Sequence, residues 1–167
     1  MSNPLTQFHV SVSVNDRSSQ LNDNIIQLWR IAFERQTDAN IALKNFSHVF
    51  WLTANDRIVS MCTIRPREVF EDDKYEYVLS NVGTHPSYRL KGYATELLRQ
   101  MIHWLKSEHT VPKISILYLG CDINRVPFYK SALNAFECLK PTTIISAPSE
   151  VLLQTYIDPE EPRNLSN

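Results

Sequence analysis

Between Arg89 and Ala94 the chain reads Arg-Leu-Lys-Gly-Tyr-Ala, two cations beside a residue without a Cβ, where a helical repeat begins. Backbone N–H groups at a helix start have no intrahelical partner, and the helix dipole turns its positive end there. That combination suits an anion, and glycine lets a phosphate approach the backbone closely. The phosphate-loop pattern G-x-x-x-x-G-K-[ST] does not occur, nor does the dinucleotide pattern G-x-G-x-x-G. A phosphate-bearing ligand of another kind is the expectation; the competing reading is an ordinary strand-to-helix turn.

The neighbouring segments must place that turn. Tyr75 to Thr84 alternates and is rich in Tyr, Val and Leu, which predicts a strand with Glu76, Val78, Ser80, Val82 and Thr84 on one face and Tyr77, Leu79 and Asn81 on the other. Gly83 interrupts it near its end, where glycine marks a bulge or a close backbone approach. After the turn, Ala94, Leu97, Leu98, Met101, Ile102 and Leu105 form one apolar helical stripe, leaving Glu96, Arg99, Gln100, His103 and Lys106 elsewhere. Lys113 to Leu119, bounded by Pro112 and Gly120, alternates again. Strand, helix, strand predicts a right-handed crossover and a parallel pair with the ligand at the carboxyl ends. The chain has three glycines, and all of them, Gly83, Gly92 and Gly120, fall in this region.

These residues carry a resemblance. The segment resembles the acyl-CoA-binding motif R/Q-x-x-G-x-G/A of the GCN5-related N-acetyltransferase (GNAT) family, with Arg89, Gly92 and Ala94 at its defining positions and Thr84-His85-Pro86 in place of the family's V-x-P approach. Downstream, Asn124 and Tyr129 match the polar and phenolic positions of the family's N-x-x-A-x-x-[FL]-Y stretch, with Pro127 tolerated in a first helical turn. The likeness follows the order of elements from about Phe8 to Ile157, and motif matching is confined to residues 79 to 136. It implies an α/β fold with a mixed, mostly antiparallel sheet, a splayed parallel strand pair and flanking helices. It also implies acetyl-CoA as acyl donor and no metal. By the same resemblance, the backbone of Val82, Gly83 and Thr84 pairs with the pantetheine arm, and one amide there faces the acetyl carbonyl. Arg89, Lys91 and the amides of Leu90, Lys91, Gly92, Tyr93, Ala94 and Thr95 hold the pyrophosphate. Asn124, with Phe128 nearby, meets the pantetheine arm, Tyr129 protonates the departing sulfur, and the first helix with the loop after it lines the acceptor pocket. The family's Gly-Phe comes later here, as Leu133-Asn134-Ala135-Phe136 with alanine in the glycine place, which leaves the end of that helix open.

Acetyl transfer to an amine needs the amine neutral, the carbonyl aligned and the thiolate protonated. An alkylammonium titrates near about 10 and must lose a proton to attack. Some family members use a glutamate as base where this chain has Val78, so Glu76 is the candidate carboxylate, with Ser80 as substitute and a solvated surface glutamate as the plain reading. The expected activity is acetyl-CoA-dependent N-acetylation of a primary amine, a small-molecule amine in preference, by direct transfer in a ternary complex. Two alternatives stand beside it: a protein or peptide N-acetyltransferase, and a non-catalytic acyl-CoA-binding regulatory module. A third is an interaction domain with a structural glycine turn.

Composition bounds the rest. A length of 167 residues with 43% hydrophobic and 21% charged residues predicts one globular domain, its core spanning about 8–157. The net charge of -1 gives nucleic-acid binding no support. Cys62, Cys121 and Cys138 lack CxxC spacing and read as buried apolar residues, Cys121 being the one weighed as a thiol near a reaction centre. The first ten residues do not form a secretory signal and no apolar run reaches membrane-spanning length, so a cytoplasmic location is expected, as monomer or homodimer. Phe8 to Val14 predicts a strand with His9 outward. Leu21 to Gln36 predicts a helix with Leu21, Ile25, Leu28, Trp29, Ala32 and Phe33 on one face and Ser18 or Ser19 as N-cap. Phe46 to Thr53 and Arg57 to Ile64 predict a hairpin across Ala54-Asn55-Asp56, ended by Arg65-Pro66-Arg67. Glu71 to Lys74 reads as a solvated acidic loop. Lys140 to Ile145 and Val151 to Ile157 predict a closing hairpin, with a frayed end from Asp158.

Overall fold

In the computed structural model, residues 5–12, 16–33, 48–67, 75–107, 114–137 and 150–157 are described. They form two compact units, one drawn from the chain up to Pro66 and from Leu79–Met101, the other from Arg67–Val78 and from Ile102 onward. Three helices and seven strands occur among the described residues.

In the first unit, β1 (Thr6–Ser11), β2 (His48–Ala54) and β3 (Arg57–Pro66) form an antiparallel meander that continues into the second half of β4 (Tyr75–Thr84). Asn55 and Asp56 both have positive φ, 50° and 61°, the backbone that matches the twist of a two-residue hairpin. Strand β3 stops at Pro66, where the sequence predicts a break. Strand β1 lies earlier than expected because pairing fixes it: Thr6 faces Ala54 at the hairpin end and Ser11 faces Val49.

Helix α1 (Ser19–Phe33) is capped by Ser18, whose Oγ accepts from Leu21 N–H at 3.1 Å. The expected positions 34–36 lie outside the described residues, as do the segments at 38–45, 71–74 and 140–145, Cys138, and the tail from 158. Ile25, Ile26, Leu28 and Trp29 of α1 pack on Val49, Trp51 and Met61. Strand alternation sends Phe50, Leu52, Cys62 and Ile64 to the opposite face, and all four are fully buried. There Cys62 Sγ meets Met101 Sδ of helix α2 (Tyr93–Leu105) at 3.7 Å, and burial pushes the Cys62 thiol pKa up. The apolar stripe of α2 is the predicted one: Leu97, Leu98, Met101 and Leu105 are buried.

In the second unit, Tyr75–Val78 of β4 run parallel to β5 (Ile114–Asp122). Strand β7 (Glu150–Tyr156) lies antiparallel on the other side of β5, with β6 (Phe136–Glu137) beyond it. The β5–β7 ladder runs from Ile116↔Tyr156 to Asp122↔Glu150, which carries β5 past the Leu119 end expected from alternation. Helix α3 (Val126–Leu133) ends at Asn134, φ 52° and ψ 33°, so asparagine supplies the left-handed residue that the family motif leads one to seek at Ala135. Thr155 Oγ1 donates to the Leu133 carbonyl at 2.7 Å and satisfies that helix end. The sheet is mixed and mostly antiparallel, with β4 and β5 its parallel pair, as expected.

Candidate functional site

The predicted anion loop lies wholly in the first unit. His85 opens a short 3-10 turn at Pro86–Tyr88 by accepting from Ser87 N–H, and Tyr88 and Arg89 N–H close it on the His85 and Pro86 carbonyls. The chain then passes through Leu90, φ 61°, and Gly92, φ 82°. Glu96 N–H donates to the Gly92 carbonyl at 3.0 Å as the first bond of α2, so the amides of Tyr93, Ala94 and Thr95 precede any intrahelical acceptor. A Cβ placed on Gly92 would meet no atom within 4 Å. Leu90 is fully exposed. This is an open, positively polarised loop, and its helix-start amides and neighbouring cations are of the chemistry that accepts phosphate.

The cations around it are fixed through backbone. Arg89 donates from Nε to the Thr84 carbonyl at 3.2 Å and from Nη2 to the Ala32 carbonyl at 3.1 Å, tying loop, strand end and the end of α1 together. Lys91 Nζ donates to the Ser87 carbonyl at 3.3 Å and lies 5.6 Å from the Tyr88 ring centre. Glu96 is an acid in the first turn of α2 and would compete with a bound anion. Arg99 grips it through two bonds, 3.0 and 2.7 Å, and Gln100 adds a third at 2.6 Å. The hydrogen bonds from Arg99 hold the Glu96 carboxyl below its ordinary range, and those to Glu96 raise Arg99 in turn.

At the end of β4 the left-handed residue is Asn81, φ 54°, and not Gly83. Strict alternation along β4 is therefore interrupted at Asn81. Gly83 is needed for room: a Cβ there would lie 2.8 and 2.9 Å from Phe33 ring atoms and 3.0 Å from the Ala32 Cβ. Composition alone did not single out Ser60 and Thr63. Ser60 donates to the Gly83 carbonyl and Thr63 to the Ser80 carbonyl, both at 3.2 Å. Their signal was present as two hydroxyls inside the apolar run of β3.

The other predicted residues belong to the second unit. Asn124 sits exposed in the 3-10 turn Ile123–Arg125 before α3. Phe128 and Tyr129 follow in α3, their rings edge to face at 5.0 Å, with Tyr129 buried. Glu76 is engaged on both oxygens: Arg67 Nη1 donates to Oε2 at 2.7 Å, and Tyr118 OH lies 3.4 Å from Oε1. Arg67 also stacks over the Tyr118 ring at 4.9 Å. Arg67 and Tyr118 had no motif to announce them. Cys121 is buried in β5.

The acetyltransferase (GNAT) family model matches residues 17–133. The chain belongs to that family. Acyl transfer from an acyl-CoA donor is thus the chemistry to which this acetyltransferase is assigned, with the acceptor class open. No curated protein matches it in sequence. Among solved structures, it is similar to the ribosomal-protein-S18-alanine N-acetyltransferase of Escherichia coli at 17% identity and TM-score 0.64, over 96% of this chain and 100% of that one. It is similar to the catalytic domain of the Tetrahymena GCN5 histone acetyltransferase, in complex with coenzyme A, at 15% identity and TM-score 0.65, over 96% and 98%. FeeM, an N-acyl amino acid synthase from uncultured soil microbes, aligns at 15% identity and TM-score 0.62, over 92% of each chain. At these identities the likeness establishes the fold. No helix among the described residues is long and apolar enough to cross a membrane.

Proposed function

We propose that this chain moves the acetyl group of acetyl-CoA to a primary amine, a small-molecule amine in preference, by direct transfer in a ternary complex. The observation that carries the reading is the loop before α2, where Leu90 and Gly92 adopt left-handed backbone beside open space and amides that precede the first intrahelical bond. Acetyl-CoA supplies the activated acyl thioester. Arg89 keeps the loop in shape, the amides of Tyr93 to Thr95 take the diphosphate, and Val82 to Thr84 align the thioester. As the amine nitrogen bonds to the acetyl carbon and the carbon–sulfur bond breaks, Glu76 takes the amine proton and Tyr129 gives its own to the sulfur. Asn124 holds the pantetheine arm.

The acceptor could instead be a protein amine. Two of the structural neighbours, by their names, act on a ribosomal protein and on histones, which supports that second reading. A regulatory module that binds acyl-CoA without turnover is the third.

Calorimetric titration with acetyl-CoA and with CoA tests the cofactor site. Micromolar binding is expected, weakened about tenfold or more in Arg89→Ala, because ionic contacts and the brace to Thr84 and Ala32 are lost together. Absence of binding to either ligand overturns the reading. With an acceptor from an amine and peptide screen, Tyr129→Phe is expected to lower kcat by about a hundredfold at unchanged acetyl-CoA affinity. An unchanged kcat removes Tyr129 from the chemistry and favours the regulatory module. Glu76→Gln with less than about a tenfold loss and an unaltered pH profile removes Glu76 as base.

A further inference from the structure

Strand β3 carries two fully buried polar residues, Ser60 and Thr63, and both are bonded to the neighbouring strand β4. Asn81, φ 54°, is left-handed in the interior of β4, a conformation that a strand residue takes where the ladder bulges. Its carboxamide is used at both ends. Trp29 Nε1 donates to Asn81 Oδ1 at 3.1 Å, and Asn81 Nδ2 donates to Thr63 Oγ1 at 3.0 Å. An indole N–H can only donate, so chemistry alone orients the amide with its oxygen towards Trp29. Having accepted from Asn81, the Thr63 hydroxyl donates to the Ser80 carbonyl. Three residues earlier on β3, Ser60 does the same for the Gly83 carbonyl and lies 3.0 Å from Thr84 Oγ1. Side chains from α1 and from β3 therefore hold the backbone from Ser80 to Thr84.

We infer that Trp29, Asn81 and Thr63 are positioning residues that lock the left-handed backbone of β4 at Asn81 so that the amides following it keep one fixed aim at the acyl carbonyl. The inference rests on the proposed alignment of the thioester by Val82 to Thr84. Asparagine is well fitted to this position, since it tolerates the left-handed backbone, and its one acceptor and its amide donor anchor this point of β4 to two different elements. Glycine would accept the φ and leave that point free to turn. A donor fixed before the reaction stabilises developing charge without reorganising, and a small misdirection of it is costly.

The test needs no acceptor. Acetyl-CoA isotopically labelled at the acetyl carbonyl is bound to the wild type, Asn81→Gly, Trp29→Phe and Thr63→Val, and its carbonyl stretch is read by isotope-edited infrared. Calorimetry on acetyl-CoA and CoA runs alongside. A hydrogen bond to the carbonyl lowers that stretch. The wild type is expected to lower it and to bind acetyl-CoA more tightly than CoA. Each variant is expected to lose most of both effects while binding CoA within about twofold of wild type. Asn81→Gly permits the same backbone conformation and removes the anchor, so a wild-type stretch in that variant reduces Asn81 to a turn residue and overturns the inference. Trp29→Phe removes one bond and Thr63→Val two, both keep the residue's bulk, and they decide the matter if Asn81→Gly fails to fold. A wild type that binds CoA without lowering the stretch overturns the inference and leaves the cofactor site standing. A wild type that binds neither ligand takes away the reading beneath it, and the inference with it.

Discussion

Gly83, at the end of β4, and Gly92, in the loop before α2, differ in what requires a glycine. At Gly83 the backbone is ordinary and the space is missing, since α1 presses Phe33 and Ala32 to within 2.8–3.0 Å of where a Cβ would be. At Gly92 the space is free and the backbone is unusual, φ 82° with no atom within 4 Å of a Cβ. The strand end is shaped by packing against a helix; the loop is shaped by its own dihedral angles. Leu90 sharpens the contrast. It holds a left-handed φ of 61° with its side chain in solvent, so it accepts backbone strain, of order 1 kcal/mol or more, with no packing in return. Backbone strain of this kind clusters at ligand-binding and active sites.

The largest effect expected from breaking this contrast is at the strand end. Gly83→Ala drives a methyl into Phe33 and Ala32 and should cost about 1–3 kcal/mol, read as a fall in Tm of about 2–10 °C. Phe33→Leu in the same chain should return part of that loss, and a double-mutant cycle measures the coupling. A Gly83→Ala protein that melts like the wild type would show that α1 gives way freely and that the strand end is not closed by packing.

In the loop the expected cost is smaller and of another kind. Gly92→Ala should destabilise by about 1 kcal/mol through the left-handed backbone alone. Gly92→Asn should recover most of that, because asparagine tolerates positive φ. Both variants put atoms where the ligand approaches, so both should weaken CoA binding about tenfold. Separation of stability from affinity in Gly92→Asn is the decisive outcome. Loss of stability without loss of affinity in either variant would make Gly92 a turn residue only.

What the sequence could and could not convey follows the same division. Periodicity locates α1, α2, the β2–β3 hairpin and β4 because burial of one face leaves a pattern in the chain: Leu97, Leu98, Met101 and Leu105 are readable as one stripe and are buried together. The Ser18 cap and the end of β3 at Pro66 are readable because each depends on one local residue type. The start of β1 and the far end of β5 are not, since strand pairing with Ala54 and Glu150 sets them from a distance. Sequence points to Gly83 for a bulge or a close approach, and the close approach is there, against Phe33, while the left-handed residue is Asn81; what stabilises asparagine there is Trp29 and Thr63, 52 and 18 residues away in sequence. The end of α3 hides for the same reason, with Asn134 taking the part sought from a glycine. Motif spacing finds the loop from Arg89 to Ala94, yet the bonds of Arg89 to Thr84 and Ala32 depend on where α1 ends, which spacing does not encode.

The smallest expected effect concerns the charge beside the loop. Glu96 sits one turn into α2, and its negative charge opposes an anion bound at the same helix end, although Arg99 and Gln100 draw it aside. Glu96→Gln should therefore tighten CoA binding by about twofold at low salt, an advantage that fades as salt screens the field. Stability should move the other way. The bonds from Arg99 lower the Glu96 pKa from its ordinary 4.5, so its contribution is present above that value and is lost as pH falls through the lowered one. Melting curves of wild type and Glu96→Gln should thus differ near neutrality, with the wild type higher, and converge in acid. If Glu96→Gln leaves CoA affinity unchanged at every salt concentration, the loop holds its ligand by amide geometry alone, and its contrast with the packed strand end becomes sharper still.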